Sequence, residues 1–266
     1  MYLSNIFRRY KFLTYNKILN LIINFFNIQL LSLTDFQDKK LKEFFSLFKV
    51  YKCDKGLIRV GGRGDGSYIL PNDFKNIKYC ISPGFGNKFT FEKDLYARGI
   101  KSFVFDKQYN RKDVPQFINF TKRNINKFSL DKIVKKIPSN NLILQMDIEG
   151  DEWEVLFHLK RNLLKRFRII VIEFHKMNLL LQTTNIEFYI SIFKKLLELH
   201  KIVFIQANNS GFVTKYKSFQ ISSMMEFTFL REDRLLKKQL IKSLDYKYQE
   251  KNSPNLDIQK LSKHWF

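Results

Sequence analysis

The chain has 266 residues, 45% hydrophobic and 16% aromatic, which excludes a disordered polypeptide and supplies one large α/β domain with a full core. Its net charge of +22 would ordinarily point to nucleic acid or an anionic membrane, but the lysines are spread along the chain without a recognisable nucleic-acid motif, so no nucleic-acid partner is expected. Two cysteines, Cys53 and Cys80, make neither a disulfide framework nor a metal cluster, and the four histidines show no zinc-ligand spacing. The expectation is a reducing, cytoplasmic compartment and no metal site.

Residues 1–33 carry Arg8, Arg9, Lys11 and Lys17 with no acidic residue, followed by an apolar run from Ile18 to Leu33. Asn20, Asn24, Asn27 and Gln29 interrupt that run, so it makes a poor membrane span, and no small-residue cleavage site follows it. Asn20, Asn24 and Asn27 share one helical face, which predicts an amphipathic helix that packs on the domain or makes a peripheral membrane contact. Asp35 to Phe48 reads as a second amphipathic helix, with Phe36, Leu41, Phe44, Phe45 and Phe48 on its apolar side. Residues 1–50 are therefore taken as N-terminal amphipathic helices and 51–231 as the main domain. Residues 232–266, polar and basic with a break at Ser253-Pro254-Asn255, form a tail.

Four glycines between 61 and 66 suit a turn or a ligand-lining loop between short strands. Lys78 to Ile81 is then a strand, Ser82 to Asn87 a glycine turn, Phe89 to Arg98 a helix closed by Gly99, and Ser102 to Phe105 a strand ending on Asp106. Strand, glycine turn, helix, strand, acid is the logic of a nucleotide-type cofactor site. Gly84 and Gly86 let the backbone approach the ligand, and an acid about 20 residues on accepts from ribose hydroxyls. A dinucleotide fingerprint would place a third glycine where Phe89 stands, which argues against NAD. A nucleoside cofactor without a pyrophosphate fits better, and S-adenosylmethionine is the common one.

Phe117 to Phe120 reads as a strand and Ser129 to Ile137 as a helix. Leu142 to Ile148 reads as a strand buried on both faces. It ends in Asp147, Glu149 and Asp151, with Gly150 among them, and one helix runs on through Trp153 to Leu163. Acids at the end of a buried strand are costly to desolvate, which points to a site for Asp147 and Glu149; Asp151 and Glu152 read as helix-start charges. Ile169 to Phe174 (strand), Asn185 to His200 (helix), and Ile202 to Gln206 with Glu226 to Leu230 as an antiparallel hairpin complete the order.

Taken together, several motifs resemble the FkbM-type S-adenosylmethionine-dependent methyltransferases in order and spacing. They are Ser129-Leu130-Asp131, then Met146-Asp147-Ile148-Glu149-Gly150-Asp151-Glu152, then Val171-Ile172-Glu173-Phe174-His175. The family pattern is a leucine-aspartate helix start, a K-(I/V/M)-D-(I/V)-E-G-x-E strand end and an I-E-x-H strand. Asp65-Gly66-Ser67-Tyr68 and Gly84-Phe85-Gly86 with Phe91-Glu92 resemble a subgroup carrying D-G-G-Y and G-x-G-x-x-x-x-F-E. Ala207-Asn208-Asn209 and Glu226-Phe227-Thr228 match its closing strands. The resemblance spans about residues 36–231, with Gln145 in place of the usual lysine and Ser67 in place of a glycine.

The resemblance implies a class I methyltransferase fold. That is a Rossmann-like, mostly parallel α/β sheet of about seven strands with a terminal β-hairpin and helices on both faces. It implies S-adenosyl-L-methionine as cofactor, held by Gly84, Phe85, Gly86, Glu92 and Asp106, and methyl transfer to a hydroxyl of a sugar or other small acceptor. Asp147 is the first choice to orient or deprotonate that hydroxyl, with Glu149 and His175 as alternatives. Asn208 and Asn209 either line the acceptor pocket or make a turn with Ser210-Gly211. A basic binding module would explain the charge but not the carboxylates. An NAD-type oxidoreductase would need a Tyr-x-x-x-Lys after the glycine turn, and the spacing here, Tyr51 and Lys55, precedes it.

Overall fold

A computed structural model describes residues 35–241, except Phe85 and Asn87, together with Leu261. The helix expected within residues 1–33 and most of the expected tail lie outside the described residues. Helix α1 (Asp35–Ser46) comes first, then an antiparallel ribbon of β1 (Leu57–Val60) and β2 (Tyr68–Pro71). The chain then alternates through β3 (Tyr79–Pro83), α2 (Thr90–Ala97), β4 (Lys101–Asp106), β5 (Asn119–Lys122), α3 (Ser129–Lys136) and β6 (Leu142–Met146). It continues with α4 (Glu152–His158), α5 (Arg161–Leu164), β7 (Phe167–Phe174), α6 (Thr183–Leu197) and β8 (His200–Ala207). A second ribbon, β9 (Val213–Tyr216) with β10 (Phe219–Ser222), precedes the last strand, β11 (Met225–Arg231).

The central sheet has seven strands in the order β5-β4-β3-β6-β7-β11-β8. The first five run parallel, and β11 lies antiparallel to both β7 and β8. This is the class I methyltransferase arrangement expected from the sequence. The chain starts at the centre with β3, builds outward through β4 and β5, then returns to β6 on the other side. That reversal opens a crevice at the C-terminal ends of β3 and β6, where α/β sheets bind ligands.

Each central strand buries both faces, as its continuous apolar run requires. Leu142, Leu144 and Met146 of β6 point into one core with Ile170, Ile172 and Phe174 of β7, while Ile143, Ile169 and Val171 point into the other. The first core is covered by α1, α3, α4 and α6. There Phe44 and Phe48 make edge contacts with Phe193 at 5.4 and 5.0 Å, and Phe45 stacks on Phe219 at 5.0 Å. The second core is covered by α2 and the β1–β2 ribbon through Phe91, Leu95, Val60, Tyr68 and Leu70. The ribbon is fastened to the sheet where Thr228 Oγ1 donates to the Ile69 carbonyl at 2.6 Å.

Most ends shift by one to three residues, the helix read as Asn185 to His200 becoming Thr183–Leu197, and three differences move or divide a whole element or change the layout. Strand β5 lies two residues later than expected. The helix expected to run from Trp153 to Leu163 divides, because Leu159 and Lys160 take extended ψ angles of 122° and 140°. The strands read as a closing hairpin do pair, but β9 and β10 form a ribbon of their own between them.

Asp73, just after β2, ties the far edge of the domain together. Its carboxylate accepts both Arg234 Nε (2.7 Å) and Arg234 Nη2 (2.9 Å), pairs with Lys55, and lies 3.7 Å from Arg168 Nη1. Burial alone would raise its pKa, but the Arg234 and Lys55 hydrogen bonds and the guanidinium charges outweigh it and hold it at about 2. A lowered folded pKa stabilises at pH above the unfolded value, here by about 2 kcal/mol, and that stabilisation is lost as pH falls toward 2. Asp73→Asn should therefore cost about 3 kcal/mol at pH 7 in urea unfolding, because it leaves Arg168 buried without its counter-charge. It should also flatten the acid limb of the stability curve between pH 4 and 2. Unchanged stability at both ends would remove this role.

Candidate active site

The site is built where the sheet's strands stop. Gly84 follows β3 directly, at φ 82°, and its N–H donates to the Phe105 carbonyl at 3.1 Å. The next contact crosses to β6, where the Asp147 N–H donates to the Pro83 carbonyl at 3.1 Å. A side chain at Gly84 would place its Cβ 1.4 Å from the Asp147 carbonyl oxygen. Glycine here lets the ends of β3 and β6 touch, and so brings the glycine turn against the acidic motif.

Beyond Asp147 the backbone is unusual: Glu149 has φ 58° and Gly150 φ 107°. Glu152, read from sequence as a helix-start charge, turns inward instead and is fully buried. Its Oε1 accepts from the N–H groups of Ile148 (2.9 Å) and Gly150 (3.2 Å), pinning the loop, and contacts His175 Nδ1 at 3.1 Å. Sequence reasoning missed this because a carboxylate one residue into a helix looks like ordinary dipole compensation. Trp153 holds the other side. Its Nε1 donates to the His175 carbonyl at 2.7 Å, and its ring stacks on Tyr189 at 3.9 Å.

His175 is thereby fixed at the end of β7 with Nε2 directed at carboxylates. It stands 3.8 Å from Asp147 Oδ1, 3.4 Å from Glu149 Oε2 and 3.9 Å from Glu173 Oε1. Burial works against a charged imidazole, but the bond to Glu152 and the surrounding acids together raise its pKa. Asp147 moves the same way for a different reason. Burial, then the charges of Glu149, Glu152 and Asp65, outweigh the pull of His175 and lift it to about 7.

Behind Asp147 runs a buried polar chain. The Asp147 Oδ2 atom accepts from the Tyr68 hydroxyl at 3.4 Å, and that hydroxyl oxygen accepts from Gln145 Nε2 at 3.0 Å. The Ser82 hydroxyl lies 2.6 Å from Gln145 Oε1 and 2.8 Å from Glu92 Oε1. One hydroxyl proton serves only one of these two acceptors, and an amide oxygen has none to give. With Ser82 donating to Gln145, the proton between Ser82 and Glu92 sits on Glu92, in keeping with a carboxyl whose pKa burial raises.

A cavity of about 540 Å³ opens above these groups. It brings together Gly84, Gly86, Glu92 and Asp106 from the expected cofactor set with Asp147, Glu149 and His175 from the expected catalytic set. Phe85 lies outside the described residues. Asp106 ends β4 at the rim, where its Oδ1 accepts from the Gln108 N–H at 2.6 Å. Asp65, Gly66 and Tyr68 also line the cavity, so the glycine-rich segment does face a site. Asn208 lines it too, donating to Glu173 Oε1 at 2.7 Å while its own Oδ1 accepts from the Ser210 N–H at 2.9 Å, so it serves pocket and turn at once. Asn209 is buried beside it. Tyr68, Gln145, Glu173 and Glu152 are the site residues that the sequence reading did not assign; the alternation of β6 and β7 places Gln145 and Glu173 in the interior, and a buried polar residue in an apolar strand is the signal that could have found them.

Residues 75–209 match the family model described as the methyltransferase FkbM domain. The chain belongs to the FkbM methyltransferase family. A comparison with curated proteins finds no match. Among solved structures, this FkbM methyltransferase is similar to the Methanococcus jannaschii fibrillarin pre-rRNA processing protein. The identity is 11%, over 67% of this chain and 71% of that one, with a TM-score of 0.37. It is also similar to the N-methyltransferase NodS of Bradyrhizobium japonicum, at 9% identity over 74% and 96% of the two chains, with a TM-score of 0.29. Among the described residues of this methyltransferase, no helix is long and apolar enough to cross a membrane.

Proposed function

We propose that the protein transfers the methyl group of S-adenosylmethionine to a hydroxyl of a sugar or other small acceptor. The observation that carries this reading is the single cavity joining the glycine turn and Asp106 on one side to Asp147, Glu149 and His175 on the other. Its lining fits the cofactor: Asp65, Asp106, Asp147, Glu149, Asp151 and Glu173 face it, against Lys88 and Lys107, in a chain of net charge +22. An acidic pocket in a basic protein is suited to a cation, and the bound cofactor supplies an electrophilic methyl on a sulfonium. Gly84 lets the two strand ends meet below the cavity, Gly86 presents no side chain to it, and Asp106 would accept from ribose hydroxyls.

The protein's own task is positioning and proton removal. The acceptor oxygen must lie in line with the departing sulfur, and its proton must leave as the new carbon–oxygen bond forms. A carboxylate poised near pH 7 suits that proton, and Asp147 is such a group. Tyr68 fixes one of its oxygens, and His175 stands beside the other. Titration calorimetry should show S-adenosylmethionine binding in the full-length protein. Asp106→Ala should weaken it roughly tenfold or more, the effect of losing one charge-assisted hydrogen bond. Absence of binding, or equal affinity in the variant, would overturn the cofactor assignment.

A further inference from the structure

We propose that Asp147, Glu149 and His175 bind a divalent cation of the Mn²⁺ or Mg²⁺ class, placed so that the acceptor hydroxyl completes its coordination. One donor atom from each of the three lies within 4.8 Å of the others. An octahedral ion with bonds of about 2.1 Å holds neighbouring donors about 3 Å apart and opposite ones about 4.2 Å apart. The observed 3.4 Å from His175 Nε2 to Glu149 and 3.8 Å to Asp147 fall inside that range. The exposed Glu149 side chain has the freedom to close the remainder.

Two further observations point to a ligand rather than to a cluster that satisfies itself. Asp147 Oδ1, the atom facing His175, is buried and has no hydrogen-bond partner. His175 has its side chain only 9% exposed, with Nδ1 committed to Glu152, so Nε2 is the one free donor and it is aimed at the cluster. A histidine whose second nitrogen is held by a carboxylate is the usual support of a metal-bound imidazole, since it fixes the tautomer and ring orientation. Among the lysines nearby, Lys88 is 3.6 Å from Asp65, and Lys176 passes over Gly150 without pairing with any of the three.

The donors are two carboxylates and one imidazole, so hard, water-retaining ions of the Mn²⁺ and Mg²⁺ class are favoured over thiolate-seeking ones. The sequence expectation of no metal site rested on spacing. These donors come from the ends of β6 and β7, 28 residues apart, and only the parallel pairing of those strands joins them. The role given to the ion rests on the methyl-transfer reading: it would bind the acceptor oxygen and make its proton easier to lose, with Asp147 holding the ion through Oδ1 and leaving Oδ2, the oxygen beside Tyr68, to accept that proton.

Electron paramagnetic resonance of Mn²⁺ titrated into the full-length protein tests the site without any turnover. Binding of one ion per chain is expected, weakened at least tenfold in both His175→Ala and Glu149→Gln. Glu149 is 87% exposed, so its variant separates ligand loss from misfolding. No Mn²⁺ binding in the wild type, or binding in Glu149→Gln and His175→Ala as tight as in the wild type, would overturn the proposal. S-adenosylmethionine titrated into the same preparations keeps the two readings apart. Mn²⁺ binding in a protein that fails to bind S-adenosylmethionine would sink the methyl-transfer role and leave the ion site standing, and the reverse would sink the ion site alone.

Discussion

Gly84→Val is expected to abolish cofactor binding and methyl transfer and to lower the melting temperature by about 10 °C. The new Cβ would fall 1.4 Å from the Asp147 carbonyl oxygen and 2.4 Å from its carbon, both backbone atoms held by neighbouring strands. At φ 82° a branched residue is also strained before any collision. The only relief is to part the ends of β3 and β6, which separates the glycine turn from the carboxylates. Gly86→Ala is the control for folding, since a Cβ there meets no protein atom within 4 Å and should leave the melting temperature unchanged. Calorimetry with S-adenosylmethionine and a thermal melt on both variants check the contrast. A Gly84→Val protein that binds the cofactor normally would show that this contact does not build the site.

The second large effect concerns Asp147. Asp147→Asn should lower turnover by about 10²–10⁴-fold, the usual worth of a general base, while cofactor affinity changes little. Stability supplies the discriminating measurement. A carboxyl whose folded pKa is raised above its unfolded value favours the folded state only at low pH, and burdens it as pH rises past the unfolded value. Burial beside other acids raises Asp147 in this way. Removing the charge should leave the melting temperature at pH 7.5 equal or higher. A merely structural aspartate would give the opposite pair, a lower melting temperature with near-normal turnover.

Much of this was legible in the chain. Leu142 to Met146 announced a doubly buried strand by its unbroken apolar run, and the acids after it announced a site by their cost in such a place. The glycine turn and Asp106 marked the adjoining crevice for the same kind of reason. Other features were hidden because they depend on partners far away in sequence. Glu152 turns inward because two loop N–H groups and His175, 23 residues on, receive it. Gln145 becomes informative only when Tyr68 and Ser82 arrive beside it from the ribbon and β3. The lysine that the resemblance would place there brings a charge; here Gln145 faces Ser82 instead, and burial raises the pKa of Glu92 on the other side of that hydroxyl. The break at Lys160 left no signal, since no glycine or proline marks it.

The place of β11 sets the order in which the molecule can be made. Among the described residues it is the last strand of the sheet in sequence, yet it lies between β7 and β8. Neither can complete its pairing on that side until Met225 to Arg231 has been synthesised. At ordinary translation rates the 57 residues from Phe174 to Arg231 take about 3 to 11 s. Throughout that interval β7, an eight-residue buried strand that carries Glu173 and leads into His175, presents an open apolar edge. Such an edge invites pairing with other chains. The seconds before β11 closes the sheet are therefore the interval in which the nascent chain is most open to such pairing.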